Sequence, residues 1–88
     1  MKRKDNSILK KIANSYVILP LSDHNISVDV ILNTNEVGAF IYEALETETT
    51  KEEILSKLLD VYEIDEQRAL KDLESFLAKL DEKGLLDA

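Results

Sequence analysis

The sequence predicts an α+β fold in which β-strands precede helices. Apolar and β-branched runs dominate residues 8–32, and the alternation near the end of this stretch is typical of a strand. From residue 33 onward, apolar side chains recur at the spacing of amphipathic helices. The 88-residue chain contains two glycines and one proline, a composition that favours regular structure, and its length predicts a single domain over residues 1–88.

The predicted strands occupy the first third of the chain. Residues 8–13 and 15–19 are short apolar runs that meet at Asn14, a residue that tolerates the left-handed backbone of a tight turn, so we expect a hairpin. Pro20 lacks an amide donor and should end the second strand. Residues 26–32 alternate and predict a third, half-buried strand, with one face formed by Ile26, Val28, Val30 and Leu32.

A change of period at Asn33 predicts the start of the first helix. Asn33 can act as the N-cap, Glu36 can complete a capping box, and Leu32 with Val37 can form a hydrophobic staple. The helix then carries an apolar stripe of Val37, Phe40, Ile41, Ala44 and Leu45. Gly38 costs about 1 kcal/mol relative to alanine inside a helix, which predicts that another backbone approaches closely there.

Two more helices follow with similar signals. Thr50 and Glu53 form a second capping box, ahead of a stripe made of Ile54, Leu55, Leu58, Leu59 and Tyr62. Asp65 is predicted to cap the third helix, whose stripe consists of Leu70, Leu73, Phe76, Leu77 and Leu80. Gly84 fits the left-handed position that ends such a helix, with Leu85 packing back on Leu80.

Charge is unevenly distributed along the chain. The net charge is −7, yet residues 1–14 hold five of the eleven basic residues against one acidic residue, so this segment carries +4 and the remainder −11. We expect residues 1–7 to form a flexible basic arm. Because nucleic-acid affinity comes largely from neutralising phosphates, the acidic body predicts no nucleic-acid binding. The alternative, an arm that tethers the protein to DNA or a membrane, is less favoured.

The sequence lacks the two apolar features that would place the protein in or across a membrane. No apolar run approaches the roughly 18 residues of a membrane span, and no apolar segment follows the basic start as it would in a signal peptide. We therefore expect a cytoplasmic protein without a membrane partner. The chain has no cysteine, which excludes disulfides and thiolate metal sites.

The residues predict no enzyme. His24 is the only histidine and has no cysteine or second histidine with which to form a metal site or a nucleophile pair. The acidic clusters at residues 46–48 and 52–53 are better interpreted as charges that favour the positive end of a helix dipole. No glycine-rich phosphate loop is present. We expect no catalytic residue, no cofactor and no metal ion.

The ordered set of elements resembles the PqqD family, small proteins of pyrroloquinoline quinone biosynthesis, whose relatives include recognition elements of pathways for ribosomally synthesised, post-translationally modified peptides. The resemblance covers about residues 8–86. It rests on a third strand ending in "ILN", the helix "NEVGAFIYEAL", the segment "TTKEEILSKLLDVYEID" and the final "DLESFLAKLDEKGLL". Residues 47–49 replace a glycine that family members often have, a departure that affects only a loop.

The resemblance implies a three-stranded antiparallel sheet leading into a winged-helix-like bundle of three helices. It also implies a chaperone that binds the leader segment of a precursor peptide and presents it to a modifying enzyme, often a radical S-adenosylmethionine maturase. The leader would add as a strand to the third strand, in a groove beside the third helix. The implied peptide-binding residues are Ser27, Val28, Asp29, Val30 and Ile31 on the strand, and Leu70, Lys71, Glu74 and Leu77 on the helix.

Alternatives remain for both the edge and the function. Between Ser27 and Ile31 there is no proline and one charge, Asp29, so the edge lacks most devices that block strand pairing. The first strands or a second copy of the protein are alternative occupants, and the sequence does not predict the oligomeric state. A winged-helix-like DNA-binding or transcription-associated protein is the alternative function. The third helix offers no basic reading face, because it mixes Arg68, Lys71, Lys79 and Lys83 with Glu66, Asp72, Glu74, Asp81 and Glu82.

Overall fold

The computed structural model describes residues 1–21 and 31–87. Residues 26–30 of the predicted third strand lie outside these ranges. So do His24 and four of the implied peptide-binding residues, namely Ser27, Val28, Asp29 and Val30.

Strands precede helices in the structure, which confirms the predicted α+β fold. The elements are β1 (Lys2–Arg3), β2 (Ser7–Ile12), β3 (Ser15–Pro20), β4 (Leu32–Thr34), α1 (Glu36–Ala44), α2 (Lys51–Val61), α3 (Glu66–Glu82) and β5 (Leu86–Asp87). β2, β3 and β4 form an antiparallel sheet in that order, and β1 pairs with β5 in a separate two-stranded sheet. None of the helices within the described ranges is long and apolar enough to cross a bilayer.

The β2–β3 hairpin confirms the predicted strand pair, and β3 ends at Pro20 as expected. The left-handed residue of the turn is Ala13, with a φ of 56°. The prediction that Asn14 takes this conformation was therefore wrong. Pairing of Ile12 with Ser15 closes a two-residue loop. A positive φ at the first loop position alone matches a type II′ turn, whose twist suits an antiparallel hairpin.

The corner between β4 and α1 lies two residues later than predicted. Asn35 is the N-cap, and its Oδ1 accepts a hydrogen bond from the Gly38 N–H at 2.9 Å. The capping box and staple predicted around Asn33 were therefore wrong, and Glu36 is the first helical residue. The physical reason is strand pairing: Asn33 lies opposite Val17 in the sheet, which keeps its backbone extended.

The predicted caps of the other helices are confirmed. The Thr50 hydroxyl accepts from the Glu53 N–H at 3.2 Å, and the Asp65 carboxylate accepts from the Arg68 N–H at 3.3 Å. Gly84 has a φ of 71°, and the Leu85 N–H donates to the Leu80 carbonyl at 2.9 Å beyond the end of α3. One core joins the sheet to the three helices, and its fully buried side chains are Ile18, Ile41, Leu45, Ile54, Leu58, Leu73 and Leu80.

The N-terminal residues differ from the flexible arm that we expected. Strand β1 pairs with β5, and the Arg3 N–H donates to the Leu45 carbonyl at 2.8 Å. The Arg3 guanidinium donates to the Tyr42 carbonyl at 3.0 Å and lies 4.3 Å from the centre of the Tyr42 ring. Ser7 and Tyr42 share a buried hydrogen bond of 2.7 Å between their hydroxyls. Backbone pairing and a cation–π contact thus join residues 1–7 to the rest of the domain.

Candidate functional site

Strand β4 forms one edge of the three-stranded sheet. Within the described residues, β4 pairs only with β3, so its other edge carries no strand. Leu32 is buried and Asn33 is exposed, as expected for alternation along a strand that covers the core with one face. An edge of this kind presents backbone N–H and C=O groups that can pair with another extended chain.

A cleft of about 220 Å³ separates the β4–α1 junction from α3, and we call it the α3 cleft. The junction contributes Thr34, Asn35, Val37, Gly38 and Ile41. The helix contributes Arg68, Asp72, Ser75, Phe76 and Lys79. The α3 cleft therefore has a sheet edge and a helix N-terminus on one side and a long, exposed helix flank on the other.

Gly38 lines the α3 cleft at a point where side chains of β4 and α3 come close to α1. A Cβ built at Gly38 would overlap the Thr34 hydroxyl and lie 3.1 Å from Phe76 Cε1. The close approach predicted at this glycine is present, but side chains from β4 and α3, and not a second backbone, make it. Without a side chain at position 38, the strand, α1 and α3 converge at the base of the cleft.

Among the residues that the structure describes, the charges along the α3 cleft are two cations and one anion. Arg68 Nε lies 3.9 Å from Asp72 Oδ2, in a pair whose side chains are 78% and 50% exposed, so the attraction is weak. Lys79 lies nearly two turns beyond Asp72, and its ammonium has no hydrogen-bond or ion-pair partner in residues 1–21 and 31–87. The described part of the cleft thus carries a positive charge without a partner there, in a chain whose net charge is −7.

The helix residues that the resemblance implied do not line the α3 cleft. Leu70 and Leu77 are half-buried, and Lys71 is exposed. Glu74 accepts from the Lys51 ammonium of α2 at 3.4 Å, which places this flank beside α2. Of the implied strand residues, Ile31 is described, and it lies half-buried immediately before β4.

Sequence reasoning missed the flank of α3 that does line the cleft. Arg68, Asp72, Ser75 and Lys79 follow one another at helical spacing, and all four are exposed. This helical spacing was the sequence signal that could have indicated a common flank of α3. Polarity alone, however, does not tell which exposed flank of a helix lies beside a sheet edge, because that depends on how the helix packs.

No three histidine, cysteine, aspartate or glutamate side chains converge to hold a metal ion within residues 1–21 and 31–87. Tyr62 packs edge-on against Phe40, with 5.6 Å between ring centres. Burial, and then the negative charge of Glu36, raise the pKa of the Tyr62 phenol above its ordinary value. The phenol therefore stays protonated at neutral pH and supplies no base.

Known proteins share the sequence pattern and the fold of this chain. The family model for coenzyme PQQ synthesis protein D (PqqD) matches residues 15–86. No curated protein sequence matches the chain. The structure of TbiB1 in complex with the TbiA(beta) leader peptide is similar, with a TM-score of 0.74 and 28% sequence identity, covering 100% of this chain and 96% of that one. Lasso peptide synthetase B1, complexed with the leader peptide, shares the fold, with a TM-score of 0.69, 17% identity and coverage of 96% and 93%.

Proposed function

The chain belongs to the PqqD family, and on this premise we propose that it is a non-catalytic protein that binds the leader segment of a precursor peptide and presents it to a modifying enzyme. The observation that carries the proposal is the edge of β4 beside the α3 cleft, which pairs with no strand from the described part of the chain. The similarity to TbiB1, which was solved with a leader peptide bound, supports it over the full length of the chain.

The proposed mechanism is strand addition. An extended leader would pair with β4 and with residues 27–31 before it, at the spacing of about 4.8 Å that separates neighbouring strands. Main-chain hydrogen bonds would supply affinity, and side-chain contacts in the α3 cleft would supply specificity. The corner at Asn35 supports this mechanism, because its cap joins β4 directly to α1, and residues of both elements line the α3 cleft.

Two flanks of α3 are candidates for contact with the leader. The position of the cleft favours the flank that contains Arg68, Asp72, Ser75 and Lys79. Leu70, Lys71, Glu74 and Leu77, which the resemblance implied, lie on the other flank and remain a prediction that the same experiment tests. On the strand, Ser27, Val28, Asp29, Val30 and Ile31 remain the proposed contacts.

The proposed partner enzyme is a maturase, of which a radical S-adenosylmethionine enzyme is one candidate. The chain itself offers a shallow cleft and, within its described part, no cluster of metal ligands. We therefore propose that chemistry on the precursor takes place on the partner. Mass spectrometry of a precursor incubated with the chain alone should show no change in mass. A modified product that disappears when one polar residue is replaced would contradict this.

The test of peptide recognition begins with the reading frames beside the gene. A short peptide encoded next to a maturase identifies a candidate leader, which is then titrated as a synthetic peptide into isotope-labelled protein. We expect amide shifts along residues 26–34 and along the cleft flank of α3. Shifts confined to other surfaces, or no binding of that leader, would contradict the proposed function. Shifts at Leu70, Lys71, Glu74 and Leu77 alone would assign the groove to the other flank.

A further inference from the structure

We infer that the peptide bound in the α3 cleft carries an aspartate or glutamate whose carboxylate pairs with Lys79. The inference rests on the proposed function and adds the chemical class of the ligand. It concerns which leaders the chain accepts, and strand pairing alone cannot determine this, because main-chain hydrogen bonds are the same for every sequence.

The local charge is opposite in sign to that of the chain. Acidic residues outnumber basic ones by 18 to 11 overall, yet among the described residues that line the α3 cleft basic ones outnumber acidic ones by two to one. A basic site on an acidic protein attracts an acidic partner, and it disfavours a partner with a lysine or arginine at the same place.

The two cations of the cleft differ in whether an acidic side chain already lies beside them. Asp72 lies 3.9 Å from the Arg68 guanidinium and offsets part of its charge. Lys79 has no such partner among the described residues, and it follows Ser75 by one helical turn, or about 6 Å. A carboxylate beside Lys79 could therefore also accept from the Ser75 hydroxyl. Because Lys79 and Ser75 can donate together, Lys79 is the main candidate for pairing with the peptide carboxylate, and Arg68 is a secondary one.

A polyphosphate or nucleic-acid ligand fits these charges less well. Such ligands are bound by several cations that neutralise successive phosphates. Within the described ranges, the α3 cleft has two cations and an aspartate, on a chain with a net charge of −7. One carboxylate on a peptide whose backbone pairs with β4 matches the Lys79 ammonium, which has no partner among residues 1–21 and 31–87.

A display library of random 12-residue peptides tests the inference without knowledge of the natural leader. The library is selected against the unmodified chain, against Lys79→Gln and Lys79→Glu, and against Lys57→Gln as a control. Lys57 is exposed on α2 and does not line the cleft. Circular dichroism establishes that each variant is folded, and amide shifts identify the selected peptides that bind in the α3 cleft.

We expect cleft-binding peptides from the unmodified chain to share an aspartate or glutamate at one position. Their affinity should fall by about two- to fivefold in Lys79→Gln, the range of an exposed ion pair, and the difference should shrink at high salt. Lys79→Glu should select lysine or arginine at that position, whereas Lys57→Gln should select the same peptides as the unmodified chain.

The two ways of failing are distinct. Cleft-binding peptides without an acidic preference, or with a preference that Lys79→Glu leaves unchanged, would overturn the inference and leave the proposed function standing. Failure to enrich any peptide, or enrichment of peptides that bind only outside the cleft, would overturn the proposed function and the inference with it.

Discussion

The Thr34 hydroxyl occupies the space into which a side chain at Gly38 would project. This contact joins the last residue of β4 to the first turn of α1, across the corner that Asn35 caps. Phe76 Cε1 of α3 lies 3.1 Å from the position of a Cβ built at Gly38. One missing side chain thus allows a strand, a helix end and a second helix to meet at the base of the α3 cleft.

Gly38→Ala should destabilise the protein in spite of the better helix propensity of alanine. Alanine gains about 1 kcal/mol inside a helix, but forcing a group into a packed site costs about 1–3 kcal/mol. We expect a net loss of roughly 1 kcal/mol in the free energy of unfolding, measured by urea denaturation.

A double-mutant cycle with Thr34→Ala identifies the cause of that loss. Removing the Thr34 hydroxyl should relieve most of the overlap, so the two substitutions together should cost less than the sum of their separate effects. If Gly38→Ala is more stable than the unmodified protein, or if its effect adds strictly to that of Thr34→Ala, then overlap with the Thr34 hydroxyl does not cause the loss of stability.

Ala13→Gly should stabilise the β2–β3 hairpin. Ala13 has a φ of 56°, and this left-handed conformation costs an L-residue about 1–2 kcal/mol. Glycine avoids that cost but loses about 0.5–1 kcal/mol through the entropy of the unfolded chain, so the expected gain is about 0.5–1 kcal/mol. Thermal denaturation measures it. Asn14→Gly is the matched control and should give no gain, and an equal gain there would contradict the turn assignment.

Asn35→Ala and Asn33→Ala should differ in their effect on stability. Loss of an N-cap side chain costs about 0.5–2 kcal/mol, and Asn35 is the residue whose side chain accepts from the Gly38 N–H. Asn33 is exposed on β4, so its truncation should change the free energy of unfolding by less than about 0.5 kcal/mol. Both free energies of unfolding are measured by urea denaturation. An equal loss of stability in the two variants, or a larger loss in Asn33→Ala, would contradict the assignment of Asn35 as the N-cap.

The helix ends were predictable because the chemistry that determines them is local. Thr50, Asp65 and Gly84 each act on backbone groups within a few residues, and the structure confirms all three. The start of α1 was not predictable in the same way. Asn33 and Asn35 are equally good caps by residue type, and the choice between them depends on the pairing of Asn33 with Val17, a residue far away in the chain.

The candidate site was predictable only in part, for the same physical reason. The apolar stripe of α3 predicted which side of the helix packs on the core, and Leu73, Phe76 and Leu80 are buried there. A stripe has two flanks, however, and neither Glu74 nor Lys79 carries a local signal that says which of them meets α2 and which meets the cleft. Tertiary packing makes that assignment.

Stability should decline at alkaline pH through Tyr62. Burial, followed by the charge of Glu36, raises the pKa of this phenol in the folded state above the ordinary value of about 10. The folded state therefore holds the proton more tightly than the unfolded state does. This contribution is fully present below pH of about 10 and is lost as the pH rises through the folded pKa. Tyr62→Phe should flatten that decline in urea denaturation, and an unchanged slope would contradict the assignment.

A proline at the sheet edge should weaken leader binding without unfolding the protein. Proline removes one backbone donor, so Asp29→Pro or Ile31→Pro should cost at least ~1 kcal/mol of binding free energy for each lost hydrogen bond. Asp29→Ala is the matched control for the first variant, because it removes the same side chain and keeps the N–H. The measurement is titration calorimetry with the leader, after circular dichroism has established the fold of each variant.

A core substitution separates recognition from folding in that experiment. Leu73 is fully buried, and Leu73→Ala should cost about 2–5 kcal/mol of stability, so it should reduce binding only in proportion to the unfolded fraction. The edge prolines should show the reverse pattern, with a folded protein and reduced affinity, because under the proposed strand addition the main-chain donors that they remove would pair with the peptide. If folded proline variants bind the leader as tightly as Asp29→Ala does, strand addition at this edge is wrong, and the leader must be held by side chains of the α3 cleft alone.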